Sequence, residues 1–312
     1  MTRISTLALL PALGFAAQPG AAWAQTTPDI QDLVVQGEQI NRSVEGAVER
    51  DSRRSGEDAA IDGEAGVYVL TVNRIFQVSA SAGLGYTDNP TRTADDVGNA
   101  AYGDFSLAGG IATRLGNRVD FGLSANVGGR EFFDAVGPSS RTVSATASLG
   151  MPIVGPVYAG IVAFGGYSFD NEFENGTSFH GVSGNLSAAL PVTEGVVLRP
   201  GLGATRQWSA VSENNSSMAA ASLDLLGAIS PSVTASLRVT AARRWYDDFY
   251  EDVTFVERRD MIYGIAASIA WRPAPFLAVV ATISFDNQDS TFFLSNFQAV
   301  EGGVGASLHY RF

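Results

Sequence analysis

The amino-acid sequence predicts an all-β fold, a transmembrane up-and-down antiparallel β-barrel of about 12 strands. From residue 75 to the C-terminus, apolar residues alternate with small or polar ones, as they do in strands that separate two unlike environments. Short and long connections alternate between these segments, which is typical of outer-membrane barrels. After residue 24, no apolar stretch approaches the roughly 18 residues that a spanning helix needs.

Residues 1–24 are predicted to be a secretory signal peptide. Arg3 supplies a positive start, an apolar stretch follows, and Ala22 and Ala24 place small residues at the −3 and −1 positions before Gln25. The alternative is a membrane anchor, which the prolines and glycines within the apolar stretch disfavour. Export fits a bacterial envelope protein.

Residues 25–65 are predicted to form an acidic periplasmic segment, with ten acidic residues, four arginines and no aromatic residue. Apolar residues after Pro28 approximate helical spacing, so the segment is either a partly disordered tail or carries a short helix. Its functional alternatives are a contact arm and a plug in the mouth of the barrel. Residues 66–312 are assigned to the barrel, and within them 66–74 fits a first strand, a periplasmic extension or a piece folded into the lumen.

The alternation is clear in the first barrel segment, where Phe76, Val78 and Tyr86 share one face and Gln77 and Ser79 share the other. Similar segments, separated by tight turns on one side and by longer polar loops on the other, number twelve. They are 75–88, 101–115, 118–132, 140–151, 156–170, 179–191, 195–208, 217–229, 232–247, 259–272, 276–287 and 297–312. An even number of strands returns the C-terminus to the short-turn side.

A barrel in lipid explains this pattern better than a soluble sandwich does. In hydrocarbon every backbone N–H and C=O must be paired within the protein, so only helices or a closed sheet can span a membrane. The predicted strands are long enough to cross, because about ten tilted residues suffice, whereas strands of soluble sheets are usually shorter. Aromatic residues also gather toward the segment ends, as in the girdles at the two membrane surfaces.

The composition excludes several functional classes. The chain has no cysteine, which excludes a disulfide scaffold, thiolate zinc sites, a cysteine nucleophile and a lipidated N-terminal cysteine. All 20 basic residues are arginine, and the formal net charge is −12, so nucleic acid is not an expected partner. No phosphate loop, dinucleotide fingerprint or metal-ligand spacing occurs, and we expect no cofactor and no metal.

The last six residues, Ser307–Phe312, resemble the terminal strand of Gram-negative outer-membrane β-barrel proteins. Leu308, Tyr310 and Phe312 match the alternating pattern with a final aromatic residue that, by this resemblance, the barrel assembly machinery reads as its signal. The stretch Gly83–Pro90 is similar to the start of porin-like, poorly characterised barrels of Proteobacteria, some of which are linked to exopolysaccharide systems. These resemblances imply an outer-membrane location and a role in transport.

Following the alternation, one face of the barrel carries both signs of charge and should line a lumen. The predicted lining residues are Asp104, Arg114, Asp120, Asn126, Arg130, Arg199, Asp224, Arg238, Arg244, Asp260, Asp286 and Glu301. Such residues either set the selectivity of a water-filled path or pair with one another and fill the interior. A barrel of eight strands has an interior filled by side chains, and one of sixteen to eighteen strands has an open channel. A barrel of twelve strands has an intermediate width.

The two histidines do not predict catalysis. His180 lies near the long-loop side and His309 near the short-turn side, so they cannot share one active site or metal. Ser178, Ser183 and Asn185 near His180 would suit a lipid-acting hydrolase, but they are also ordinary strand residues. We expect that the protein is not an enzyme.

The leading functional prediction is a porin-like channel for small solutes or for part of an export route. The alternatives are a non-conducting structural or adhesion barrel and a lipid-acting enzyme. Arg206 and Arg243 fall on the apparent lipid face beside Trp208 and Trp245, where they would either snorkel to the interface or contact lipid A phosphates. The expected partners are outer-membrane lipid, lipopolysaccharide and the barrel assembly machinery, and the oligomeric state is left open.

Overall fold

The computed structural model describes residues 76–92, 98–115, 119–133, 139–170, 176–193, 195–249, 257–292 and 295–312. The predictions for 1–24, 25–65 and 66–74 lie outside the described residues.

Within the described residues, the chain forms thirteen β-strands and one short 3-10 helix. The strands are β1 (Phe76–Thr87), β2 (Ala100–Leu115), β3 (Val119–Phe132), β4 (Ser140–Val154), β5 (Val157–Asp170), β6 (Gly176–Ala188), β7 (Leu190–Thr193), β8 (Val196–Ser209), β9 (Ser216–Ser230), β10 (Val233–Phe249), β11 (Glu257–Ala274), β12 (Leu277–Ser290) and β13 (Phe297–Arg311), and the helix is Ser212–Asn214.

The strands close into an antiparallel barrel. Consecutive strands pair with each other, apart from β6 and β7, and β13 returns to pair with β1 from Gln77↔Arg311 to Thr87↔Glu301. The strands β6 and β7 are two pieces of one wall position, because both pair with β8 on either side of Ala189. The described barrel therefore has twelve wall positions, and the predicted fold is confirmed.

Some observed strands are longer than the predicted ones. Strand β4 continues to Val154 because the backbone ladder with β5 persists past the end of the alternation, with a register shift between Pro152 and Val154. Gly155 and Gly195, at short turns, have φ of 53° and 79°, a left-handed conformation that glycine adopts without steric cost. The short turns gather at one end of the barrel, and the longer connections at the other.

The outer face of the barrel is apolar and exposed. Leu84, Leu202 and Ile283 have 64%, 59% and 58% of their surface exposed and are part of a continuous band around the sheet. Soluble monomers rarely expose contiguous apolar patches of this kind, whereas hydrocarbon is their natural contact in a membrane barrel. Among the described residues, no helix is long and apolar enough to cross a membrane.

The lining of the barrel interior

Small polar residues on the inner face pair across neighbouring strands. The hydroxyl oxygens of Ser81 and Ser106 lie 2.7 Å apart, and those of Ser124 and Thr146 lie 2.6 Å apart. The Ser236 and Ser268 hydroxyls on β10 and β11 are also 2.7 Å apart. These residues are half-buried, and their hydroxyl groups form part of the inner surface. Buried apolar side chains, among them Val162, Val197 and Leu226, face the same interior.

Toward the long-loop end, five inward-facing residues form what we call the Glu301 cluster: Arg92, Tyr102, Asp104, Arg130 and Glu301. The Arg130 guanidinium donates from Nε to Asp104 Oδ1 at 2.9 Å and lies 2.7 Å from Glu301 Oε1 through Nη1. It also lies over the Tyr102 ring, 3.8 Å from the centroid. The Tyr102 hydroxyl donates to Glu301 Oε1, and Arg92 Nη2 lies 2.8 Å from Glu301 Oε2.

The first long connection brings Arg92 into this cluster. Asn89 and Pro90 are buried, and Asn89 Nδ2 donates to the Gln298 carbonyl at 3.0 Å. Arg92 has a φ of 49° and lies over the Phe297 ring at 5.8 Å. The start of this connection therefore turns inward over β13 and narrows the interior at the long-loop end.

A second group, the Asp224 cluster, consists of Arg199, Asp224 and Arg238 on three adjacent strands. The register places Arg199 opposite Asp224 and Asp224 opposite Arg238. Arg199 donates to Asp224 Oδ2 from Nη2 at 2.9 Å and from Nε at 3.1 Å. Arg238 donates to the same carboxylate through Nε and Nη2. One buried carboxylate thus holds two guanidinium groups.

A third group lies on β11 and β12 near the long-loop end. Arg258 donates two hydrogen bonds to Asp260, of 3.1 and 2.9 Å, and Ser290 Oγ donates to Asp260 Oδ1 at 2.6 Å. The guanidinium also lies over the Tyr246 ring at 4.4 Å. Arg258 and Asp260 side chains are 5% and 0% exposed, so their burial is tolerated because each charge meets its opposite.

All twelve predicted lining residues lie on strands, and eleven have described side chains. Asp104, Arg199, Asp224, Arg238, Asp260, Asp286 and Glu301 are buried, and Asp120, Asn126, Arg130 and Arg244 are half-buried. The structure brings seven of these residues together in the clusters above, and Asp120, Asn126, Arg244 and Asp286 lie outside them. Asp120 accepts a hydrogen bond from Tyr158 at 3.3 Å, and Arg244 donates to Tyr246 at 3.3 Å. The backbone of Arg114 pairs with Asp120, and its side chain lies outside the described residues.

The residues of these clusters that sequence reasoning missed include Tyr102, Arg258 and Arg92. Tyr102 shares the face of Asp104, so the alternation contained the signal for its inward position. Arg258 shares the face of Asp260, but it precedes the predicted start of that strand. Arg92 lies in a connection, where alternation indicates nothing.

The residues around His180 do not form a catalytic arrangement. His180 faces outward and stacks on Trp208, with ring centroids 5.5 Å apart. Ser183 faces inward and accepts a hydrogen bond from Thr205 at 3.0 Å, so it lies on the opposite face of the sheet from His180. In the described part of the chain, no group of three or more histidine and acidic side chains could hold a metal ion. The expectation that the protein is not an enzyme stays a prediction.

The last strand presents its aromatic residues outward. Leu308, Tyr310 and Phe312 have 53%, 65% and 57% of their surface exposed, and the Phe312 ring stacks on Phe76 of β1 at 5.9 Å. The backbones of these two residues also exchange hydrogen bonds of 3.2 and 3.1 Å. The C-terminal aromatic pattern therefore lies where β13 pairs with β1 to close the barrel. Its recognition by the barrel assembly machinery stays a prediction.

No family model matches the chain, and no curated protein matches it. Among solved structures, it is similar to an outer-membrane channel from Pseudomonas putida F1, with 9% identity and a TM-score of 0.51 over 79% of this chain and 100% of that one. It is also similar to the β-domain of the Bordetella autotransporter BrkA, with 10% identity and a TM-score of 0.48 over 76% and 100%. The KdgM porin in complex with disordered oligogalacturonate gives 11% identity and a TM-score of 0.40 over 74% and 98%.

The fold is that of the outer-membrane β-barrels. The closed antiparallel sheet, with its continuous apolar outer band, is what a barrel needs in order to stand in lipid without unpaired backbone groups. The protein is therefore located in the bacterial outer membrane, with the short turns on the periplasmic side and the longer connections outside.

Proposed function

We propose that the protein is a narrow channel through which small hydrophilic solutes cross the outer membrane, with the Glu301 cluster as its constriction. The observation that carries this proposal is the polarity of the inner face. Hydroxyl groups, glycine backbone and ion pairs form much of it, beside buried apolar side chains such as Val162, Phe164 and Leu226. A barrel that only had to be stable would be better filled by packed apolar side chains, because burying charge is costly even when the charges are paired.

The described inner face favours neutral or zwitterionic solutes over ions of one sign. In the Glu301 cluster two arginines face two acids, and in the Asp224 cluster two arginines face one. Selectivity for one sign of charge normally needs rings of like charge, whereas these charges are paired. A polar solute exchanges its water for the hydroxyl and ion-pair groups of the wall.

A role in polysaccharide export would need a wider path than this constriction supports. The Tyr102 ring, held between Arg130 and Glu301, occupies the interior at the long-loop end, and the connection through Asn89 and Arg92 crosses the same region. We therefore propose diffusion of small solutes rather than passage of a polymer.

One observation favours a second candidate, a non-conducting barrel. Tyr102, Asp260 and Asp286 face inward, and each has no more than 2% of its surface exposed. A barrel whose interior is fully packed around these residues would not conduct. It would serve a structural or adhesive role through its external connections.

Flux of graded sugars into proteoliposomes distinguishes the two candidates. We expect the full mature chain to admit small sugars and to exclude larger oligosaccharides. Tyr102→Ala should raise both the rate and the size limit, because it removes the ring while Glu301 keeps both arginine partners. Tyr158→Ala is the matched control, since this inner tyrosine lies on β5 near the short-turn end, and it should leave the size limit unchanged.

Folded protein that admits no sugar, either as wild type or as Tyr102→Ala, would refute the channel and support the non-conducting barrel. An equal increase with Tyr158→Ala would place the constriction elsewhere. Free passage of long oligosaccharides through the wild type would instead support an export route.

A further inference from the structure

The outward-facing arginines of the barrel are not evenly distributed. In the described strands they are Arg141, Arg206, Arg243 and Arg259, and all four lie toward the long-loop end of their strands. The short-turn end of the described outer face instead presents aromatic and aliphatic side chains, such as Trp271. In the part of the barrel that the structure describes, positive charge on the lipid face thus lies toward the outer leaflet.

Three of these arginines lie close together, on β8, β10 and β11. The register places Arg206, Ser217, Trp245 and Arg259 in one row across β8 to β11. Arg243 lies on β10, one outward-facing position nearer the membrane centre than Trp245. We call Arg206, Arg243, Arg259 and the two tryptophans beside them, Trp208 and Trp245, the Arg243 patch.

The side chains of the Arg243 patch are held in place. The Arg206 guanidinium donates to Ser217 Oγ at 2.9 Å and to Asp247 Oδ1 at 2.7 Å, and it lies over the Trp208 ring at 5.3 Å. Arg243 lies over the Trp245 ring at 5.5 Å. Tryptophans on the outer face of a barrel mark the level of the lipid headgroups, so both guanidinium groups are at headgroup depth.

One arginine of the patch has no ion-pair partner among the described residues. Two of its arginines are ion-paired, one to Asp247 and one to Glu257. Arg243 is exposed and forms no ion pair with any residue that the structure describes. A further exposed acid, Asp289, lies on β12 opposite Met261 and so two strands away from Arg243. An exposed guanidinium at this depth suits an anionic headgroup.

We propose that the Arg243 patch binds a phosphorylated headgroup of the outer leaflet, the phosphorylated glucosamine of lipopolysaccharide. Arginine pairs with phosphate through two parallel hydrogen bonds, and Arg243 supplies this contact while the tryptophans pack against the sugar and the upper acyl chains. From the strand spacing and rise, the Cα atoms of Arg206 and Arg243 are about 12 Å apart. Such a separation suits an extended headgroup with several polar groups better than a single small ion.

Native mass spectrometry of the full chain in detergent tests this site, with bisphosphorylated lipid A and the same lipid without phosphates as probes. We expect the phosphorylated lipid to bind about tenfold more tightly than the other, and Arg243→Ala to remove most of that difference, since a charge-assisted pair is lost. Arg243→Lys should recover part of it, because the charge returns without the planar fork. Arg141→Ala, an outward arginine elsewhere on the rim that faces Glu131 at 3.8 Å, is the matched control and should bind as wild type.

Each variant is first shown to be folded by the difference in gel mobility between boiled and unboiled samples. Equal binding of the two lipids, or wild-type binding by Arg243→Ala, would overturn the proposal and leave Arg243 as a side chain that only reaches the interface. An equal loss with Arg141→Ala would also overturn it, because the effect would then belong to the charge of the whole rim.

Discussion

Asp224 is the residue whose replacement should perturb the interior most clearly. Its carboxylate pairs with two guanidinium groups, those of Arg199 and Arg238, whose side chains are only 10% and 11% exposed. Asp224→Asn keeps the shape and some of the hydrogen bonds, but it leaves two like charges, on β8 and β10, on either side of the uncharged residue on β9. Breaking a buried pair in this way costs about 3–5 kcal/mol, and we expect the lower end because Asn still accepts one hydrogen bond. The folding equilibrium should shift by roughly 100-fold.

Urea unfolding of the barrel in lipid vesicles, followed by tryptophan fluorescence, measures this change. The control replaces the three charged residues together by Met, Leu and Met, which should restore most of the stability because no unpaired charge remains. Asn126→Ala, at an inner position outside the three clusters, should change the free energy of unfolding by less than about 1 kcal/mol. A wild-type stability for Asp224→Asn would refute the reasoning, since it would mean that water already screens this cluster.

The same variant also affects transport. The Asp224 cluster carries two arginines and one acid, so Asp224→Asn raises its formal charge by one. If solutes pass this level, the channel should become more selective for anions, which reversal potentials in a salt gradient would measure. An unchanged reversal potential in a conducting variant would place the path away from the cluster.

Two further substitutions test the outer face and the constriction. Leu202→Arg, on the outer face midway along β8, should lower the free energy of unfolding in lipid by about 2–4 kcal/mol, and an unchanged value would contradict the lipid-facing assignment. In Gly85→Val the new Cβ would lie 2.2 Å from Tyr102 Cζ, so the ring must leave its place. The sugar size limit should then rise as in Tyr102→Ala, and an unchanged limit would contradict a constriction at Tyr102.

The architecture could be predicted from sequence because its cause is local. A two-residue period follows directly from which side of the sheet a residue faces, and it needs no knowledge of distant parts of the chain. The same period identified the inward position of Asp104 and Asp260. It also gave strand ends to within a few residues, although β4 continues to Val154 because backbone pairing does not require alternation.

The clusters could not be predicted, because they depend on closure and register. Arg130 meets Glu301 only after β13 has paired with β1 and β1 with β2, and a shift of one residue would turn either side chain outward. Arg92 enters the same cluster from a connection whose path is determined by Asn89 and the Gln298 carbonyl. Such contacts join residues about 200 positions apart, as in the pairing of Arg92 with Glu301.

Single-channel recording in a planar bilayer tests the central claim, that water passes through this barrel, most directly. Protein from the folded, unboiled gel species should give discrete current steps of small, uniform size and weak preference for either ion, because the described inner charges are paired. Folded protein that inserts into the bilayer and produces no current steps would contradict the claim and leave the interior as a packed, sealed core.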